Sequence, residues 1–229
     1  MALIDNLVSY WKLDEASGNA ADSVGSNTLT NVNSVTYTTG KINNGALTAR
    51  TGSKYFSITD TSQSGLDFGT GDFTFNIWIK PSSIGAGDGF FSKGAGGGNS
   101  QYWMRFNNNT GNVLTFLTSQ GAGETIVSTS AAGITTGNWY MLTFKRSGTT
   151  LSIKVNAGTA VTATGTVRNC DNTSAFLLGA GPGNIPFDGI LDEVGVWSRA
   201  TTDAEDTQLY NAGAGFTYPF VTGNFFQVF

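Results

Sequence analysis

The stretch Phe73-Thr74-Phe75-Asn76-Ile77-Trp78-Ile79-Lys80 decides the fold. Its apolar residues alternate strictly, with Phe73, Phe75, Ile77 and Ile79 on one side and Asn76, Trp78 and Lys80 on the other. A period of two built from β-branched and aromatic residues predicts a strand with one face in a core. The pattern returns along the chain, at Tyr102–Asn107, Val113–Thr118, Tyr140–Arg146, Leu151–Asn156, Ala175–Gly179 and Ile190–Trp197. Turn formers lie between these segments, notably Gly85-Ala86-Gly87-Asp88-Gly89 and Gly94-Ala95-Gly96-Gly97-Gly98. The latter lacks the Gly-Lys-Ser/Thr ending of a phosphate loop and is expected to be a flexible rim.

One helix is predicted near the end. Thr202-Asp203-Ala204-Glu205 fits a capping box, Leu209 and Tyr210 supply an apolar side, and Gly213 is the expected C-cap. Many short strands and one short helix make an all-β, two-sheet antiparallel sandwich. It is expected to occupy residues 1–212, followed by a tail at 213–229.

Composition narrows the chemistry. The 229 residues are 39% hydrophobic and only 12% charged, about half the ~25% charge of an ordinary soluble protein. Histidine is absent, which removes the commonest general base and metal ligand, and with it any Ser-His-Asp triad or Cys-His dyad. The single cysteine, Cys170, excludes an intrachain disulfide. A net charge of -4 with scattered Lys and Arg argues against nucleic acid as a partner. No run approaches the ~20 apolar residues of a membrane span, so no membrane insertion is expected. The opening Met1-Ala2-Leu3-Ile4-Asp5 has no basic n-region or long apolar run. It predicts a chain without a signal peptide, one that reaches a virion surface or the extracellular space through lysis.

The motifs resemble a known family. Leu7–Gly18, Asp22–Asn27, Phe68–Thr74, Phe91–Gly94 and Asn138–Phe144 are similar, in this order, to segments of the laminin-G-like jelly rolls of the concanavalin A-like lectin/glucanase superfamily. The strongest match is Phe187-Asp188-Gly189-Ile190-Leu191-Asp192-Glu193-Val194, followed by Trp197-Ser198-Arg199-Ala200. The resemblance covers residues 7–212 and implies a jelly-roll sandwich. It leaves the ligand open, because the fold hosts lectins, glycosidases, adhesins and virion proteins.

Hydrolases of this superfamily that resemble laminarinases place Glu, Asp and Glu at alternate positions of one strand. The four glutamates here (Glu15, Glu124, Glu193 and Glu205) form no such run. Asp14-Glu15 and Asp192-Glu193 are adjacent, so in a strand each pair points to opposite faces, and no catalytic residue is assigned. No cofactor is required. A structural calcium is the one metal expectation, with Asp22 and Asp192 as ligands, because structural calcium occurs across jelly-roll families and hard cations take carboxylate oxygens. Asp192 has a second reading: a buried carboxylate accepting backbone amides or pairing with an arginine.

The non-core faces suggest a ligand. Asn76 and Trp78 share one side of their strand; Trp103, Arg105 and Asn107 share one side of theirs; Glu193 and Trp197 fall together on the late strand. If these faces meet on one sheet they form a groove of indole platforms and polar groups suited to a glycan or a protein receptor. Otherwise the tryptophans pack beneath loops or the helix. In the tail no charge occurs after Asp206, and the 17 residues from Gly213 include Phe216, Tyr218, Phe220, Phe225, Phe226 and Phe229. Such a segment must bury itself, in cis on the sandwich or in trans, in a homo-oligomer or against a virion partner. Low charge, a Thr/Asn/Gly-rich surface and this terminus resemble phage structural proteins in composition. The function expected is therefore non-enzymatic: lectin-like glycan or receptor recognition displayed on a virion, with a purely architectural assembly protein as the first alternative and a glycoside hydrolase, its catalytic pair assembled from distant elements, as the last.

Overall fold

The computed structural model of the chain describes residues 2–95, 101–107, 109, 111 and 113–221. Two sheets face one another. The first runs in the order Val161–Thr164, Thr150–Val155, Tyr140–Ser147, Phe73–Pro81, Gly189–Trp197, Asn44–Thr48 and Thr36–Thr39, with Leu7–Trp11 also paired to Gly189–Trp197. The second runs Gly123–Ser128, Leu114–Gln120, Gln101–Phe106, Gly89–Lys93, Phe176–Leu178, Tyr55–Ile58 and Thr30–Val32. A short hairpin, Ala180–Gly181 with Ile185–Pro186, joins it at Gly89. The strand pairs are antiparallel apart from the Pro186–Gly89 bridge, giving a jelly-roll sandwich with one short α-helix.

Phe73, Phe75, Ile77 and Ile79 have no exposed surface and face the second sheet. There Phe75 meets Phe91 with ring centroids 4.8 Å apart, and Phe73 meets Phe116 at 5.8 Å. Arg146 lies wholly within this core. Its guanidinium donates to the carbonyls of Gly71, Arg168 and Gly69 (2.7–2.8 Å), and it is 3.3 Å from the Cys170 sulfur. Five guanidinium donors fill the acceptor ring, so the buried charge is solvated by carbonyl dipoles.

The helix spans Asp203–Tyr210 and its capping box is present: Glu205 N–H donates to the Thr202 hydroxyl (3.3 Å), and Thr202 N–H donates to Glu205 Oε2 (2.8 Å). Its end differs from the expectation. The left-handed residue is Asn211, at φ 47°, and Gly213 closes a following 3-10 turn. Asparagine tolerates this conformation through its short polar side chain. Charge docks the helix: Arg199 grips Glu205 (2.6 and 2.8 Å), and Asp206 accepts from Lys145 and Lys154 at 2.5 and 3.0 Å.

The late strand departs from strict alternation. Asp192 pairs with Trp78 and Gly195 with Asn76, so three steps on one strand match two on the other. This bulge, with Glu193 at φ 48°, puts Leu191, Val194 and Val196 in the core. Asp192 is thereby freed from the core face that its sequence neighbours suggested.

Candidate functional site

The expected groove of Trp78 beside Trp103 does not form, because their strands lie in opposite sheets. Asn76, Trp78, Glu193 and Trp197 sit on the outer face of the first sheet and are buried. Trp78 stacks on Tyr210 at 5.7 Å, with the Lys41 ammonium 4.7 Å from its ring. Trp197 donates from Nε1 to the Leu3 carbonyl (2.7 Å) and meets Phe220. Asn76 donates to the Thr143 hydroxyl (2.9 Å). Trp78, Trp197, Leu3, Leu7, Tyr10, Met141 and Leu209 form a second apolar cluster, with Phe216, Tyr218 and Phe220 packed against it. The described part of the tail is therefore folded back in cis. Phe225, Phe226 and Phe229 lie outside the described residues.

Glu193 is buried beneath this cover. Tyr10 donates its hydroxyl to Oε2. Burial pushes the Glu193 carboxyl up to about 7 against the pull of the Tyr10 hydroxyl. Asp192 is a backbone anchor: Oδ2 accepts from the amides of Lys41 (2.6 Å) and Ile42 (2.9 Å), and Oδ1 from its neighbour's amide (2.9 Å). Asp22 accepts from the amides of Tyr10, Val24 and Asn27, each at 3.0 Å. Both oxygens of each aspartate are thus engaged, and among the described residues no three acidic, His or Cys groups converge on a cation position. In this structure the two aspartates act as loop anchors.

The outer face of the second sheet is partly covered: Ser92, Gln101, Thr115, Leu117 and Ser119 are buried. Direct cross-strand partners share a face, so the register defines a row: Thr30, Ser57, Leu177, Ser92, Trp103, Leu117 and Ile126. Trp103 stands at its centre, half-buried, and Ile126 at the rim is 44% exposed. The flanking rows are Gln101, Ser119 and Glu124 on one side and Arg105, Thr115 and Ser128 on the other. The Arg105 guanidinium lies over the indole, its carbon 3.9 Å from the ring centroid. Gly181 abuts the same ring, since a Cβ there would stand 2.7 Å from Trp103 Nε1. Ser92 donates to the Ala180 carbonyl (2.9 Å) and fixes that hairpin.

Among the described residues neither Trp103 Nε1 nor Arg105 Nε has a hydrogen-bond partner, though both are buried. Burial lowers the Arg105 pKa, and the charge of Glu124 opposes that shift. Asn107 is exposed at the strand's end. Trp103 and Arg105 share one side of their strand, and Asn107 follows the strand's end. Sequence reasoning missed Leu117, Ile126 and Gly181, of which Leu117 was legible from the alternation of Val113–Thr118. Cavities elsewhere include a groove of about 460 Å³ lined by Ala204, Thr207, Gln208, Asn211, Ala212 and Phe216, and one of about 250 Å³ lined by Ile4, Tyr218, Pro219 and Phe220.

Solved structures share this architecture. Domain 4 of AbnA, a GH43 extracellular arabinanase from Geobacillus stearothermophilus, solved in complex with arabinotriose, superposes with a TM-score of 0.67 at 18% identity, over 88% of this chain and 97% of that one. The binding domain of Paraclostridial Mosquitocidal Protein 1 gives 0.71 at 16% identity, over 91% of this chain. The binding domain of botulinum neurotoxin DC, in complex with SialylT, gives 0.68 at 11%. The chain spans 52% of each of these two toxin domains. No curated protein matches the sequence. No helix among the described residues is long and apolar enough to cross a membrane. A laminin-G family model matches residues 50–205, and the chain belongs to the concanavalin A-like lectin/glucanases superfamily.

Proposed function

We propose that the protein is a non-catalytic, lectin-like binding module that recognises a glycan, free or carried on a protein receptor, through the outer face of its second sheet. One observation carries the reading: a half-buried tryptophan stands in an outward row that mixes polar and apolar residues, with an arginine over its ring and its own buried indole N–H without an acceptor among the described residues. Sugars offer C–H faces to aromatic rings and hydroxyls to such donors. The AbnA domain solved with arabinotriose supports a saccharide ligand for this architecture. Screening the full chain on a glycan array tests the reading. Binding to a defined set of glycans that Trp103→Ala removes is the expected result. Signals that Trp103→Ala leaves intact contradict it.

A second reading is an architectural role in an assembly such as a homo-oligomer or a virion. It draws on exposed Ile4 and Val221, 49% and 72% accessible, beside the Tyr218–Phe220 cavity. Light scattering on the full chain should then show an oligomer that truncation after Tyr218 converts to a folded monomer.

A further inference from the structure

The site carries donors without acceptors, and this specifies ligand charge. Of the strand residues facing outward on the second sheet, Arg105 and Glu124 are the charged pair, set two strands apart and in different rows. Among the described residues Arg105 forms no ion pair, whereas Arg50 and Arg199 hold carboxylates and Arg146 is enclosed by carbonyls. The guanidinium and the indole are both donor-only groups. A buried donor with no acceptor is costly, and a charge in a partly desolvated site interacts more strongly with an opposite charge than it would in water.

We infer that the Trp103–Arg105 site takes an acidic saccharide, one whose carboxylate accepts from Arg105 and from the Trp103 indole N–H. The inference rests on the binding reading above and names the ligand class of that same site. A carboxylate is acceptor-only and complements two donor-only groups. Both orphan nitrogens are buried, with the guanidinium on the ring face and Gly181 beside the indole nitrogen. Binding therefore lifts Arg105 off the indole, pairs it with the carboxylate and frees the ring face for the sugar. Gly181, held against the ring, keeps the indole in place during this exchange.

The test is calorimetric titration of the full chain with trigalacturonate and with sialyllactose, each against its neutral counterpart, galactotriose and lactose. The two acids distinguish a uronate from a sialate as the source of the carboxylate. The expected result is a preference of about tenfold or more for one acid over its neutral partner. It should fade as salt rises from about 50 to about 500 mM and disappear in Arg105→Gln, with Arg105→Lys keeping part of it. Equal affinity for acidic and neutral sugars, or a preference that survives Arg105→Gln, overturns the acidic-ligand inference. If that binding is still lost in Trp103→Ala, the site itself stands. No binding of any saccharide, on the array or in titration, overturns both.

Discussion

Gly181 and Trp103 are in contact in a way that no other residue at position 181 would permit. A Cβ at Gly181 would come within 2.7–2.8 Å of three atoms of the indole, so the absence of a side chain on the hairpin sets where the tryptophan lies on the sheet. Overpacking of this kind costs about 1–3 kcal/mol. Gly181→Val should lower stability by that amount in urea denaturation and weaken glycan binding about tenfold by displacing the ring. The same substitution at Gly183, where a Cβ meets nothing within 4 Å but φ is +79°, should lower stability and leave the affinity unchanged.

Glu193 makes stability depend on pH. Its carboxyl titrates near 7 in the folded protein against an ordinary value of 4.5, because burial disfavours the anion. A raised folded-state value means that the native state binds the proton more tightly than the unfolded chain. The associated stability is full below about pH 4.5 and is lost as pH rises through about 7. With 1.36 kcal/mol per pKa unit, the loss is about 3 kcal/mol. Glu193→Gln keeps an acceptor for the Tyr10 hydroxyl and removes the titration. Thermal melts between pH 4.5 and 8 should show the variant gaining on the parent as pH rises, with the two equal near pH 4.5.

Arg146 should be among the most sensitive positions in the core. Replacement by Met takes the guanidinium donors from the carbonyls of Gly69, Gly71 and Arg168, of which Gly69 keeps only the Cys170 amide. The cost should exceed about 3 kcal/mol, and Arg146→Lys should recover only a fraction, since an ammonium cannot reproduce the planar fork. Chemical denaturation of the two variants measures both values.

The helix is held by its cap and by charge, and the two contributions differ in size. Thr202→Ala removes the capping hydroxyl and should cost about 1 kcal/mol. Asp206→Ala leaves Lys145 and Lys154, both nearly buried, without their shared carboxylate and should cost about 3–5 kcal/mol. Equal losses in the two variants would mean that the buried pairs contribute little to docking.

Period-two alternation assigns a residue to a face and says nothing about which sheet the strand joins. Phe73, Phe75, Ile77 and Ile79 were therefore legible as core, and Thr202 with Glu205 as a cap, because each depends on local geometry. Trp78 and Trp103 carry the same local signal, yet one is covered by Tyr210 and the other stands at the centre of an outer row. That difference arises from strand pairing between distant segments and from where the helix lands. At Asp192 the alternation misleads, because one extra residue in the bulge reverses the faces on either side of it. Trp103 and Arg105 were readable as neighbours two residues apart. Gly181, nearly eighty residues further along, was not, since its contact exists only once the hairpin folds onto Gly89.

The most direct test of the central claim is amide chemical-shift mapping of the full chain, titrated with a saccharide that binds on the array. Perturbations should cluster at Trp103, Arg105, Leu117, Ile126 and Leu177, with the signals of Trp78 and Trp197 unchanged. Shifts confined to the Ala204–Phe216 groove, or none along the Trp103 row, would contradict that claim.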